Sequence, residues 1–173
     1  LWYRLAVVLG KKTTWFLAMI IMTMSFIYTG ILDPSDTKLT DLVIIKVMNI
    51  LGFACIGVIG PAMVSEIADY GTLKSGVERP AIYFSFFAFV AKSGGAIATA
   101  LGLGIAGWYG FDVSSTEHSA HSILGLTSAI AWLPVFFTVV ALVFIVLTPI
   151  NTHRYSIIRR RLDAQIANKS ISN

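Results

Sequence analysis

Residues 81–111 read AIYFSFFAFVAKSGGAIATALGLGIAGWYGF, an apolar run with a single charged residue, Lys92. As a helix, the run reaches Lys92 after about 11 residues, or roughly 16 Å, which is close to the midplane of a hydrocarbon core about 30 Å thick. A lysine snorkels only from near a helix end, so an ammonium group at this depth needs a partner or a water-filled cavity. Lys92 therefore indicates a transport pathway or a binding site. The alternative is an interhelical ion pair without a ligand.

The composition of the whole chain is typical of a membrane protein. Hydrophobic residues make up 56% of the 173 residues, charged residues 13%, and the mean hydropathy is +0.78. A soluble domain of this length is less apolar. The single cysteine, Cys55, lies in an apolar segment, so we interpret it as a small buried side chain and exclude a disulfide framework. The basic residues flank apolar segments instead of forming a face, so we expect no nucleic-acid partner.

Four apolar segments are long enough to cross a bilayer. We predict an all-α membrane protein whose transmembrane helices lie at about 14–32, 42–64, 82–111 and 123–148. Residues 1–13 are expected to form a cytoplasmic loop and residues 149–173 a cytoplasmic tail. Thr40 or Asp41 is expected to cap the second helix. The chain begins at Leu1 without a methionine, so we also expect it to be a piece of a longer polypeptide.

The positions of the basic residues predict the orientation in the membrane. Only Lys38 lies on one side, with Lys46 about one turn inside the second segment. Ten basic residues lie on the other side: Arg4, Lys11, Lys12, Lys74, Arg79, Arg154, Arg159, Arg160, Arg161 and Lys169. We therefore expect a multi-pass protein of the cytoplasmic (inner) membrane. Both ends of the chain are expected to lie in the cytoplasm. The connections 33–41 and 112–122 are expected to face outwards.

Small residues recur every four positions in the third segment, at Gly94, Ala98, Gly102 and Ala106. Small residues at this spacing let helix backbones approach closely in lipid, where the hydrophobic effect contributes little to association. We therefore expect this face of the helix to pack tightly against protein.

The connection between the second and third segments, residues 66–80, reads EIADYGTLKSGVERP and alternates acidic with basic residues. Local ion pairs are expected there, each worth about 0–1 kcal/mol at an exposed surface. A network that forms in only one conformation biases a conformational switch. The alternative is a solvated charged loop that obeys the positive-inside rule.

No catalytic or metal-binding motif is recognisable. His118 and His121 are three residues apart in a short connection without an apparent third ligand, so we expect no metal site. The sequence has no nucleophile–base pair and no phosphate-binding loop. We therefore expect neither an enzyme nor a bound cofactor.

A combination of motifs in the second half of the chain carries a family resemblance: Asp69-Tyr70-Gly71, the following Lys74, Gly76 and Arg79, and a Phe-rich helix that reaches Lys92-Ser93-Gly94. It resembles the glycoside–pentoside–hexuronide:cation symporter family of the major facilitator superfamily, to which the melibiose carrier belongs. Gly10-Lys11-Lys12 is similar to the short cytoplasmic loop of a facilitator half. The resemblance implies that the chain is helices nine to twelve of a twelve-helix carrier.

The resemblance also implies a mechanism and a set of site residues. A Na⁺- or H⁺-coupled carrier of a sugar or glycoside alternates its access by rocking two six-helix halves around a midplane site. Lys92 then faces carboxylates of the missing amino-terminal half, which holds the cation ligands, and Ala88 and Phe89 line the cavity. A cytoplasmic gate closes in the outward-open state and comprises Glu66, Asp69, Tyr70, Gly71, Lys74 and Arg79.

The chain departs from the family pattern at two places. Glu78 stands where the family usually has an arginine, and Arg79 follows it, while Gly57 stands where an aromatic residue lies near the sugar. Two other functions stay open. One is a major-facilitator-type carrier of a non-sugar substrate, and the other is a non-transporting four-helix membrane scaffold protein.

Overall fold

The computed structural model describes residues 1–33, 35–112, 114–115 and 118–147, and all regular structure in these ranges is helical. The helices are α1 (Trp2–Leu9), α2 (Lys11–Ile31), α3 (Leu39–Ser75), α4 (Pro80–Trp108), α5 (Ala120–Thr127) and α6 (Leu133–Leu147). A π-helical turn, Ser128–Trp132, joins α5 to α6. The protein is therefore an all-α chain, as predicted.

Four helices are long and apolar enough to cross a membrane: Lys11–Ile31, Leu39–Ser75, Pro80–Trp108 and Ala120–Leu147. The last of these comprises α5, the π-helical turn and α6. A hydrocarbon core about 30 Å thick needs about 20 residues of helix, so each helix is long enough without its neighbours. The described chain is a multi-pass membrane protein with four candidate spans.

Two stretches that we expected to be loops are helical. Residues 2–9 form α1 and Lys11 already begins α2, so the prediction of a loop over 1–13 is wrong. Only Gly10, with φ +84°, separates the two helices, because glycine adopts this conformation without a steric penalty. The tail expected at 149–173 lies outside the described residues.

The connection predicted at 66–80 is mostly helix as well. The second span continues as α3 to Ser75, and only residues 76–79 connect it to α4. Glutamate and lysine, as at Glu66 and Lys74, favour a helix. The charged residues therefore end the apolar segment, but the helix continues through them. Gly76, with φ +71°, is the residue that ends α3.

The amino-terminal end of α3 is capped differently from our prediction. Lys38 precedes the helix, so neither Thr40 nor Asp41 occupies the capping position. Asp41 instead lies in the first turn, and its Oδ2 accepts the backbone N–H of Lys38 at 3.0 Å. This is the reciprocal half of a capping box.

The described residues form two compact units. Unit 1 contains Leu1–Trp15 and Ala54–Ala91, and unit 2 contains Phe16–Phe53 and Lys92–Leu147. In unit 1 the buried residues are Trp2, Thr14, Cys55, Ile59, Gly60, Glu66 and Ala68. In unit 2 they are Ala18, Met19, Met22, Thr23, Ser25, Gly52, Ala106, Ser122, Gly125, Ala129, Ala131 and Thr138. Both units therefore bury small and polar side chains together with a few large ones.

Candidate functional site

Lys92 lies within α4, twelve residues after its first residue, Pro80. Its side chain is exposed and makes no hydrogen bond or ion pair with any residue that the structure describes. An unpaired ammonium in a span is costly in lipid, and such residues face a bundle interior or an aqueous cavity. The interhelical ion pair that we considered as the alternative is therefore absent from the described part of the chain.

The surface of α4 around Lys92 is open. Ala88 is exposed and Phe89 is 66% exposed, and Ala106 is the one buried residue of the helix. A Cβ atom built on Gly94, Gly95 or Gly102 would meet no described atom within 4 Å, apart from the neighbouring backbone of α4 itself. Of the small residues predicted to pack closely, Ala106 is therefore buried by the described chain, whereas Gly94 and Gly102 are not closely packed.

Glu66 forms an ion pair that connects α3 to the start of α2. The Nζ atom of Lys11 donates to Oε1 of Glu66 at 2.5 Å. The glutamate side chain is 8% exposed and the lysine side chain 36% exposed, so the carboxylate is the buried partner. Both residues belong to unit 1. The family resemblance implies that Glu66 is a gate residue but suggests no partner for it, since Lys11 was identified only as one of ten basic residues on the predicted cytoplasmic side.

The other charged gate residues are not brought together in the same way. Asp69 is half-buried, whereas Lys74 and Arg79 are exposed. Within the described residues neither of these two cations forms an ion pair or a hydrogen bond. Their exposed positions are those of solvated charges at the end of a span. Glu66 is thus paired with a residue from outside the predicted cluster, and not with Lys74 or Arg79.

Gly71 and Tyr70 behave as different kinds of residue although they are neighbours. The Tyr70 side chain is 47% exposed. Gly71 contacts the ring of Tyr83 on α4, so closely that a Cβ atom at position 71 would lie 2.7 Å from Cζ of that ring and closer still to its hydroxyl oxygen. Real Cβ contacts are longer, so only glycine fits there without a shift. Tyr83 was not among the residues that we expected at the site.

Unit 2 contains a polar cluster between α2 and α3. The Nδ2 group of Asn49 donates to Oγ of Ser25 at 2.7 Å and to the carbonyl of Ile45 at 3.1 Å. The Ser25 hydroxyl donates to the same carbonyl at 3.1 Å. Nearer the ends of these helices, the Tyr28 hydroxyl donates to Oδ1 of Asp41 at 2.8 Å. These bonds connect neighbouring helices where packing alone contributes modestly in lipid.

An apolar cavity of about 440 Å³ lies in unit 2. Its lining includes Met22, Phe26, Leu101 and Phe137. The hydroxyl of Thr138, which also lines it, donates to the carbonyls of Pro134 and Val135 at 2.9 and 3.0 Å. That hydroxyl is already satisfied within its own helix, so the cavity lacks the convergent polar groups that a sugar requires.

The connections between the spans hold two similar carboxylates. The hydroxyl and backbone N–H of Ser35 donate to Asp33 and hold the pKa of its carboxyl below the usual value. The hydroxyl and backbone N–H of Ser114 lower the pKa of Asp112 in the same way, with a smaller contribution from the nearby His118. Both acids are therefore ionised near neutral pH.

Two of the three histidines of the chain, His118 and His121, lie against aromatic rings in unit 2. His118 stacks on Phe111 and His121 meets Tyr109 edge to face, both with ring centroids 4.8 Å apart. Among the described residues there is no group of three His, Cys, Asp or Glu side chains with the geometry to hold a metal ion.

Comparison with known proteins gives one match. The model of a family described as MFS/sugar transport protein matches residues 1–152. No curated protein and no solved structure matches the chain. The match covers most of the chain and includes the ion pair, the Gly71 contact and Lys92. This membrane chain with four candidate spans therefore belongs to the MFS/sugar transport protein family, whose members are transporters of the major facilitator type.

Proposed function

We propose that this chain is the carboxy-terminal part of a secondary transporter that couples the uptake of a sugar or glycoside to Na⁺ or H⁺ by alternating access. The observation that carries the proposal is Lys92, an exposed ammonium within a candidate span with no ion pair among the described residues. The match to a sugar transport family supports the substrate class.

The open face of α4 supports a site shared with another part of the carrier. Lys92, Ala88 and Phe89 are exposed, and Gly94 and Gly95 leave room for a close approach. In this proposal α2, α3, α4 and the span Ala120–Leu147 are helices nine to twelve of a twelve-helix carrier. The amino-terminal half supplies the carboxylates that face Lys92 and hold the coupling cation. Lys92 binds sugar hydroxyls or neutralises those carboxylates when the cation leaves, while Ala88 and Phe89 line the cavity.

The ion pair Lys11–Glu66 is proposed as the central contact of the cytoplasmic gate. A carboxylate that is 8% exposed depends on its partner, because an isolated charge is costly to bury. The other proposed gate residues lie at the same end of α3 or in the connection that follows it, and they complete the gate when the two halves meet. They are Asp69, Tyr70, Gly71, Lys74 and Arg79. A contact that exists in one access state and is lost in the other biases the equilibrium between them.

The test is the replacement of Lys92 in the full-length carrier, with uptake of a labelled glycoside into vesicles under an imposed Na⁺ or H⁺ gradient. Lys92→Leu is expected to lower gradient-driven uptake at least about tenfold, since a charge-assisted contact is worth roughly 1.5–3 kcal/mol. Lys92→Arg keeps the charge but not the shape and is expected to restore uptake only in part. Expression in the membrane is expected to stay near the wild-type amount.

Lys46→Leu is the matched control. Lys46 is also an exposed lysine of a candidate span, but it lies near the amino-terminal end of α3. We expect less than a twofold change for this variant. Normal uptake by Lys92→Leu would show that Lys92 has no role in transport. A wild-type carrier that transports a non-sugar substrate, or none, would instead reject the sugar assignment.

The proposal places both ends of the chain in the cytoplasm. Cysteines introduced at Ser35 and Ser115 are therefore expected to react with an impermeant thiol reagent added outside intact cells, whereas a cysteine at Ser75 is not. Cys55 contributes no background because it is fully buried. The opposite labelling pattern would reverse the orientation and reject the cytoplasmic gate.

A further inference from the structure

Two aromatic side chains of α4 lie against two glycines of α3 in unit 1. Tyr83 contacts Gly71, and Phe87 lies so that a Cβ atom on Gly60 would be 3.2 Å from its Cζ atom. Gly57, in the same helix, has no described atom within 4 Å of its Cβ position other than the adjacent backbone of α3. Of these three positions, Gly71 therefore requires glycine, Gly60 leaves little room for a β-carbon, and Gly57 is open.

The two contacts belong to one interface. Gly60 and Gly71 are eleven residues apart, which is about three turns, so they lie on the same face of α3. Tyr83 and Phe87 are four residues apart and share a face of α4. Both rings are half-buried, although most of the first half of α4 is exposed. The two rings therefore pack this part of α4 against α3.

Glycine weakens the interior of a helix, so a glycine at position 71 needs a compensating reason. Position 71 lies within the last turns of α3, four residues before the helix ends at Ser75. The close approach of the Tyr83 ring supplies the reason, because any β-carbon there would displace the ring. A displaced ring moves the start of α4, and the same helix carries Ala88 and Phe89 within unit 1.

We propose that Gly71 is a notch for the ring of Tyr83 and that Tyr83 is a positioning residue, which sets the placement of the first part of α4 on α3 within unit 1 and thereby the placement of Ala88 and Phe89. The consequence for transport rests on the proposed function. The contact itself does not, since it is a packing relation between two helices of unit 1. The two statements are therefore tested by separate measurements.

The contact is tested by thermal unfolding of the full-length protein in detergent micelles. Gly71→Ala is expected to lower the melting temperature by several degrees, whereas Gly57→Ala, the same change at an open position of the same helix, is expected to leave it unchanged or to raise it slightly, because alanine is favoured over glycine in a helix interior. Tyr83→Ala removes the ring, so Gly71→Ala is expected to have little further effect when the two changes are combined. Tyr83→Phe removes the hydroxyl but leaves Cζ in place, so it is expected to suppress the Gly71→Ala effect only in part.

The positioning role is tested with a cysteine at Ala88, whose rate of reaction with a water-soluble thiol reagent reports on the surroundings of this part of α4. Gly71→Ala and Tyr83→Ala are each expected to change this rate at least about threefold, and Gly57→Ala to leave it unchanged. In uptake assays Gly71→Ala is expected to lower the maximal rate about tenfold with less than a twofold change in KM, and Gly71→Ala with Tyr83→Ala to match Tyr83→Ala alone.

The outcomes separate the possible failures. Equal melting temperatures for Gly71→Ala and Gly57→Ala, or fully additive effects of Gly71→Ala and Tyr83→Ala, would overturn the notch. A non-additive effect on melting with an unchanged labelling rate at position 88 would overturn the positioning role. If the wild-type protein transports no glycoside but the melting and labelling results are as expected, the notch stands and the proposed function fails.

Discussion

Helices α2 and α4 are both apolar enough to cross a membrane, but they differ sharply in how much of each the chain buries. Six residues of α2 are buried: Thr14, Ala18, Met19, Met22, Thr23 and Ser25. In α4 the one buried residue is Ala106. Hydrophobicity qualifies a helix for the bilayer, because lipid and protein are equally apolar surroundings for it. Burial within the chain depends instead on specific contacts, which α2 has and most of α4 lacks.

The same contrast separates two lysines. Lys11, at the start of α2, is paired with Glu66, whereas Lys92, within α4, is exposed and forms no ion pair with the described residues. A paired charge contributes to the stability of the structure that holds it. An unpaired charge within a span is costly in lipid and gains no energy from a partner, which is why we propose a role in binding or transport for Lys92.

The largest expected effect on stability is therefore at Lys11. Lys11→Ala leaves the buried Glu66 carboxylate without its partner and is expected to lower the free energy of unfolding by about 2 kcal/mol, less than the 3–5 kcal/mol of a fully buried pair because Lys11 is partly exposed. Lys92→Leu is expected to leave it unchanged. Reversible unfolding of the full-length protein in micelles measures both.

Lys74→Ala is the control for Lys11→Ala, since Lys74 is an exposed lysine of unit 1 without an ion pair among the described residues. The exchange of the two charges, Lys11→Glu with Glu66→Lys, is expected to recover part of the loss. A loss for Lys92→Leu as large as that for Lys11→Ala would mean that both lysines are structural, and the contrast between the two helices would disappear.

A comparable loss of stability is expected when a buried alanine of α2 is replaced by leucine, but not when an exposed alanine of α4 is. Ala18 on α2 is 1% exposed, and Ala96 on α4 is exposed. Ala18→Leu forces extra methyl groups into a packed region and is expected to cost about 1–3 kcal/mol. Ala96→Leu is expected to change the free energy of unfolding by less than about 0.5 kcal/mol, and to lower uptake because it narrows the proposed cavity. Equal destabilisation by both variants would indicate that α4 is packed on all sides in the full-length protein.

The number of membrane-spanning helices could be predicted from the sequence, but the residues at which the helices end could not. Apolar length alone predicts four helices, because each span must satisfy its backbone hydrogen bonds internally. The charged residues Glu66 and Lys74 were interpreted as part of a loop, yet both lie in α3. Charge marks the point where a helix leaves the membrane, and the helix itself ends at Ser75, directly before Gly76 with its positive φ.

The candidate site was predictable to the same degree. Lys92 could be identified from the sequence because one charge within an apolar run is rare and costly. The partner of Glu66 could not, since Lys11 is 55 residues away and the chain offers other basic residues near the same end of α3. The role of Tyr83 beside Gly71 also depends on how two helices pack, and no pattern within either helix specifies it. Local features of the site were thus visible in the sequence, and pairings between helices were not.

The smallest expected effect concerns the hydrogen bonds that help to bury α2. Ser25 is fully buried and accepts a hydrogen bond from Asn49 at 2.7 Å, and both side chains bond the carbonyl of Ile45. In membranes such an interhelical bond is worth about 0.6 kcal/mol and at most about 1.7 kcal/mol. A double-mutant cycle of Ser25→Ala and Asn49→Ala is therefore expected to give a coupling of about 0.6 kcal/mol in the free energy of unfolding. Thr23→Val is the control, because the Thr23 hydroxyl bonds only the carbonyl of Met19 in its own helix. A coupling near zero would assign the burial of α2 to packing alone, and one well above 2 kcal/mol would make this polar contact the main reason that α2, unlike α4, is buried by the chain.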